Sequence, residues 1–443
     1  MKILNRYIIL FIVAVVTIVS SNIQWGEKNS HAIIQSDGKG YYSYLPAVFI
    51  YHDLHFGFFE EIEKRDYKPN TYYDYRASYN NNIIDKYYSG VAVAMLPFFL
   101  LAHLITHLKG LSADGYTSFY QIFANVAAIF YLFVGLTFLR RFLKRQAATN
   151  SQITFLLIAF TFGTNLFYYT INEPSMSHIY SFAFVAMFIL YLKLFFDEVK
   201  IKYLMLSALA LGMIILIRPV NVMIVGIIPF LTGSLVKLKE SFIMLIKKPA
   251  WMVGAFLIMF SICSIQLIIY KLQTGTFLFD SYSQEKFKWN DPHFADILFS
   301  YKKGLFIYTP LTFLSLIGFI KLWQKSKFQF LSLLLFLTLI TYILSSWWCW
   351  YYGGSFGLRA YVEFFPLFAL LMLFAMQGLR KKLWKASLYS VIVLLILICQ
   401  VQTYQYRYYF IHWSEMNKER YWNVFMRIDQ IVESKNPNAD LLH

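Results

Sequence analysis

The sequence predicts an all-α fold: a polytopic membrane protein of about eleven transmembrane helices, with interfacial helices in its first extracytoplasmic loop. Two observations carry this. The 443 residues are 58% hydrophobic and only 14% charged, against about 25% charge in a soluble domain, so most of the surface must face lipid. Apolar runs recur from end to end, and counting them as alternating spans puts every strongly basic connection on one side, as the positive-inside rule demands.

Taken in order, Tyr7 to Val19 follows Lys2 and Arg6. It has the flanks of a signal peptide, but Val19-Ser20-Ser21 offers no clear small-x-small cleavage site, so it reads as an uncleaved first span. Residues 23–115 form the first extracytoplasmic loop. Within it, Val91–Leu108 is apolar enough to span. As a span, however, it would place Arg140, Arg141, Lys144 and Arg145 on the wrong face, so it is assigned to the outer interface, where Pro97, His103 and His107 are also easier to place.

The remaining spans are 117–139, 151–169, 178–196, 203–217, 220–236, 251–270, 305–320, 328–344, 361–376 and 388–399. Their inner connections carry Lys200 and Lys202, then Lys237, Lys239, Lys247 and Lys248, then Lys321, Lys325 and Lys327, and finally Arg380, Lys381, Lys382 and Lys385. Residues 403–443 form an extracytoplasmic tail, with Tyr404–Ile431 mixing aromatics and charges like an amphipathic interfacial helix. No internal repeat or soluble domain interrupts residues 1–443, which read as one membrane domain.

The formal charge of +16 is explained by these lipid-facing loops, and no nucleic-acid partner is expected. Three scattered cysteines give neither a disulfide framework nor metal spacing. The span interiors are nearly free of ionisable residues, which argues against an ion-coupled transporter, whose sites lie near the midplane. Chemistry-bearing residues gather instead on the outer side.

Four motifs lie there. Ser36-Asp37-Gly38-Lys39-Gly40-Tyr41 places a carboxylate before flexible backbone; by spacing alone this is an ordinary solvated turn before it is a general base. Asn172-Glu173-Pro174-Ser175-Met176-Ser177-His178 fills a short turn; Glu173 suits either catalysis or a helix cap, and His178 a substrate contact or a polar cap. Gly353-Gly354-Ser355-Phe356-Gly357-Leu358-Arg359 ends in an arginine able to fork two phosphate oxygens, with Arg218 and Lys86 as companions; the bland reading is a headgroup anchor. Phe279-Asp280-Ser281-Tyr282-Ser283-Gln284-Glu285 offers Asp280 to an acceptor.

A first span, an outer-loop Asp37 beside a Tyr-rich stretch, then Asp85-Lys86-Tyr87-Tyr88-Ser89-Gly90, an interfacial segment and a span stopping at Arg140-Arg141 resemble the GT-C superfamily of membrane glycosyltransferases. That superfamily includes protein O-mannosyltransferases, oligosaccharyltransferases and lipid A aminoarabinose transferases, and the resemblance covers most of the N-terminal half. It implies that Asp37 is the essential acid of the first outer loop and that Glu173 matches a second one. Gly38 departs from the paired acids of many members, which puts an oligosaccharyltransferase-like metal site in doubt; a divalent metal is left open and no other cofactor is expected.

The expected activity is inverting transfer of a sugar from a polyprenyl-phosphate-linked donor to a lipid, glycan or protein acceptor outside a bacterial cytoplasmic membrane. Asp37 and Glu173 would be catalytic, Arg359, Lys86 and Arg218 would bind the donor phosphate, and Tyr41, His178 and Asp280 would bind substrate. A lipid-linked-sugar flippase or transporter, an O-antigen polymerase or ligase, and a non-catalytic scaffold are the alternatives.

Overall fold

The computed structural model describes residues 2–66, 74–80, 82–282 and 285–428. Among them, eight helices are long and apolar enough to cross a bilayer: Asn5–Gln24, Gly90–Leu108, Ser118–Arg145, Ser177–Glu198, Pro249–Thr274, Lys327–Ser345, Arg359–Gly378 and Lys382–Arg407. The chain is an integral membrane protein.

The difference from eleven has a local cause. Seven of the expected spans are single long helices, and four are short or broken. Ile201–Ile217 is a little short. The 151–169 segment breaks between Asn150–Phe162 and Leu166–Ile171, at Gly163-Thr164-Asn165. The 305–320 segment is three pieces, Leu305–Tyr308, Pro310–Ser315 and Gly318–Lys325; the first break falls where Pro310 has no N–H to continue the ladder.

The expected span 220–236 departs most from a single straight helix. A 3-10 stretch, Pro219–Ile227, runs into the short helix Ile228–Thr232. The chain then turns by 118° into Leu235–Lys247. Gly233, at φ +85°, makes this turn in a conformation that side chains resist. No residue of Leu235–Lys247 is buried; Leu235, Phe242 and Ile246 are exposed beside Lys237, Lys239 and Lys247.

The basic clusters meet at one end of the bundle. Arg145 pairs with Glu198 at 2.8 Å, Lys193 with Asp197 at 2.7 Å and Lys237 with Asp197 at 3.3 Å. Arg140 donates to the carbonyl of Asn5, and Gln377 to that of Gln146. At the opposite end, Gln24 donates to the Ile171 carbonyl, Trp25 to Asn125, and Arg407 to Asn172 and the Ile23 carbonyl. The helices Ser177–Glu198 and Arg359–Gly378 form the centre of the bundle, with 83% and 94% of their apolar windows buried, so ionisable groups at their starts are shielded by protein. Packing is close where residues are small: a Cβ on Gly318 would fall 1.9 Å from the Leu371 carbonyl oxygen.

Gly90–Leu108 meets the length criterion for a span, and its contacts locate it. The hydroxyl of Tyr131 donates to the Ala94 carbonyl, Phe98 packs on Phe130, and His103 lies 2.6 Å from the Tyr120 hydroxyl. The helix therefore runs antiparallel to the first half of Ser118–Arg145, away from the basic end. Its other edge exposes Leu100, Leu101, Leu104 and Leu108.

Two corrections concern the loops. A two-stranded antiparallel hairpin, Arg76–Tyr79 with Asn82–Asp85, interrupts the otherwise helical fold and delivers Asp85 and Lys86 to the site end. Among the described residues no long amphipathic helix runs on from Tyr404 through the tail: the last long helix continues to Arg407, and one short helix, Lys418–Val424, follows. Its Tyr421 is buried and accepts from Gln402. Residues 429–443 of the expected tail lie outside the described residues.

Candidate functional site

Asp37 is the first residue of the helix Asp37–Phe49. The preceding Ser36 sits at φ 48°, ψ −134°, outside the left-handed well that a non-glycine residue tolerates. Such a conformation costs on the order of 1–3 kcal/mol and persists only where the surroundings impose it. It brings the carboxylate to a helix N-terminus, where backbone N–H groups favour an anion.

The carboxylate meets Arg359, whose Nη2 lies 2.7 Å from Asp37 Oδ2. Burial by itself would raise the Asp37 pKa. The Arg359 guanidinium, a hydrogen bond from Tyr87 and the charge of Lys86 overcome it and hold the group below the usual carboxylate range. The expected base and the expected phosphate-binding arginine are thus direct partners.

Glycine at position 38 has a steric reason. A Cβ there would fall 2.0 Å from Ser175 Oγ and 2.9 Å from Ser175 Cβ, so the Asp37 loop and the Glu173 turn touch backbone to side chain. A second acid beside Asp37 would have no room. Gly38→Ala should therefore displace Asp37 and lower the thermal midpoint by several degrees, and adding Ser175→Gly should restore much of the loss. Equal midpoints for Gly38→Ala and the wild type in a detergent melt would refute this packing.

Lys86 reaches Glu285 at 3.5 Å and lies 5.3 Å from the Tyr87 ring centroid. Tyr41 packs on Tyr87 with centroids 4.7 Å apart. Arg218 and His178 converge on a residue not counted among the site residues. Glu363 Oε1 accepts from Arg218 Nη1 at 2.7 Å and from Asn221 at 3.4 Å, and lies 3.3 Å from His178 Nδ1. Glu363 is fully buried, and its Oε2 has no hydrogen-bond partner among the described residues.

Behind Asp37, Glu173 Oε1 accepts from the Tyr168 hydroxyl at 3.0 Å, while its buried Oε2 has no partner among the described residues. Burial pushes the Glu173 carboxyl up to about 7 against the opposing pull of Arg359. Burial also brings the nearby Lys303 down to about 7, with Glu173 opposing the fall. Lys303 is 1% exposed and donates to the Ser355 carbonyl. Asn165 donates to the Phe356 carbonyl at 3.0 Å, and the Tyr169 hydroxyl to the same oxygen at 3.4 Å. These three side chains fix the backbone that leads into Arg359.

The raised Glu173 value has a sign. The fold keeps this carboxyl protonated where the unfolded chain has already ionised, so its contribution is complete below about 4.5 and is lost as pH rises through about 7. In Glu173→Gln that decline should disappear from a plot of thermal midpoint against pH. An identical slope in wild type and variant would show that Glu173 does not titrate there.

Of the expected residues, Asp37, Tyr41, Lys86, Glu173, His178, Arg218 and Arg359 gather at this end of the bundle. Asp280 does not join them: it is exposed and accepts from the backbone N–H of Tyr282 at 3.3 Å, as a turn residue does. From the same motif half-buried Tyr282 packs edge-on against Tyr87, centroids 6.3 Å apart, and Glu285 reaches Lys86; Ser283 and Gln284 lie outside the described residues. Lys303 was missed, and Glu363, an ionisable residue at the outer end of a span, was given no role. The signal for Glu363 was present, since an acid within a span is functional or structural by default.

Among the described residues, no group of three or more His, Cys, Asp or Glu could hold a metal, and the Asp37 carboxylate is taken up by Arg359. No protein-family model matches the chain, and no curated protein matches it.

Proposed function

We propose that the protein is a membrane glycosyltransferase of the GT-C kind, moving a sugar from a polyprenyl-phosphate-linked donor to an acceptor outside the cytoplasm with inversion. The observation that carries this reading is the Asp37–Arg359 ion pair, a carboxylate and a forked cation held 2.7 Å apart at one end of a membrane bundle. The gathering of basic clusters at the opposite end supports an external site through the positive-inside rule. The contacts of Gly90–Leu108 with the first half of Ser118–Arg145 keep it on the side away from that basic end.

In this mechanism the acceptor hydroxyl gives its proton to Asp37 while its oxygen attacks the anomeric carbon. The carbon–oxygen bond to phosphate breaks, and its electron pair leaves with the phosphate. Arg359 and Lys86 hold the charge that develops there. Arg218, tied to Glu363 and His178, keeps positive charge behind the same face, and Tyr41 lines it. Glu173, raised to about 7 and so partly protonated near neutral pH, donates to the acceptor from its protonated form.

The ion pair also sets an order of events. While Arg359 rests on Asp37, the carboxylate is a weak base. A donor phosphate that draws Arg359 to itself frees Asp37 and raises its basicity, so donor binding precedes proton transfer.

The test is transfer from radiolabelled polyprenyl-phosphate sugars to a membrane extract by protein purified in detergent. A new glycosidic product supports the reading. Donor translocation across vesicles with no new bond would replace it with a flippase.

A further inference from the structure

A second cluster lies apart from this site, at the far end of Gly90–Leu108. His103 and His107 are four residues apart and share one face of the helix. Their Nε2 atoms lie 3.1 Å from each other, with ring centroids 4.5 Å apart and planes at 86°. His103 Nδ1 is 2.6 Å from the Tyr120 hydroxyl, and Tyr120 is 1% exposed at the start of the next helix. The His103 ring also lies against Phe99, nearly parallel at 11°. His107 is exposed.

We propose that His103 and His107 chelate a divalent transition-metal ion through Nε2. Metal–imidazole bonds are about 2.0–2.1 Å long. Two such ligands are then about 2.9 Å apart at a right angle and about 3.3 Å apart at the tetrahedral angle. The observed separation falls between these limits. Without an ion the same two nitrogens share an N–H···N hydrogen bond, which metal binding would replace.

The surroundings fit a ligand pair rather than a core histidine. Tyr120 engages the nitrogen of His103 that faces away, the outer-shell contact that fixes ring orientation in metal sites. Phe99 holds the ring on its other flank. Exposed His107 leaves the remaining positions open to water. With imidazole the donor type among the described residues, the site favours copper, nickel or zinc over calcium or magnesium. An ion here would clamp the last turn of this helix, which Tyr120 already links to the next one.

Calorimetric titration of the tag-free protein in detergent with Cu2+ tests this. One equivalent should bind, and the bound ion should show nitrogen couplings from two imidazoles in its electron paramagnetic resonance spectrum. His107→Ala, at an exposed position, should weaken binding at least 10-fold and abolish the metal-induced rise in thermal midpoint. Tyr120→Phe should weaken it about 10-fold or more, the usual cost of a lost outer-shell contact. Replacing His52 and His55 together by Ala should change nothing. Unchanged affinity in His107→Ala, or loss of binding only in the His52/His55 variant, would overturn the site.

Discussion

Asp37→Asn should lower the rate of sugar transfer by about 10²–10⁴-fold, the usual contribution of a positioned general base. The amide keeps the shape of the carboxylate and can still accept a hydrogen bond from Arg359, whose Nη2 now lies 2.7 Å from Asp37 Oδ2. It cannot take the acceptor's proton. Donor affinity should hold or rise, because Arg359 no longer has an anion competing with phosphate for it. A fall in turnover with unchanged or tighter donor binding is therefore the signature, read from initial rates and from binding of a labelled donor. Full activity in this variant would remove Asp37 from the chemistry. A parallel loss of binding and turnover would make it a positioning residue for Arg359.

Glu363→Ala should be the most destabilising single substitution at this end of the bundle. Glu363 is fully buried and holds Arg218 at 2.7 Å. Removing one partner of a buried pair leaves the other charge uncompensated and costs about 3–5 kcal/mol. Glu363→Gln should cost less, because the side-chain oxygen still accepts from Arg218. Adding Arg218→Met to Glu363→Ala should recover part of the loss by removing the stranded charge. Thermal melts of the four proteins in one detergent decide this. Equal midpoints for Glu363→Ala and wild type would mean that Arg218 finds water or lipid phosphate instead.

Periodicity and charge carried the sequence reading a long way at the level of the bundle, for a physical reason. In lipid the backbone must satisfy itself, so a long apolar run has helix as its main solution, and Ser177–Glu198 and Pro249–Thr274 follow directly. The reading fell short where a run held a breaker whose effect depends on neighbours. Gly163 and Pro310 are visible in the sequence, yet whether a helix bends, breaks or continues there is settled by partners such as Phe356, which takes the amide of Asn165. The site was legible as a set of residue types on one face and not as a set of pairs. Arg359 and Arg218 carry the same signal in sequence, and only the fold gives one to Asp37 and the other to Glu363. Asp280 shows the converse, since a carboxylate that satisfies a turn carries the same sequence signal as one that binds a ligand.

The three side chains that grip the Ser355 and Phe356 carbonyls carry one more consequence. Fixing the backbone of a single residue costs about 1–2 kcal/mol of conformational entropy. In the stretch leading to Arg359 that ordering is met during folding, by Lys303, Asn165 and Tyr169. A ligand arriving at the guanidinium meets a preorganised group and need not freeze a loop to reach it. Its affinity should then show little of the entropy–enthalpy compensation that accompanies disorder-to-order binding, and loosening Lys303 should reintroduce that signature without altering any atom that touches the ligand.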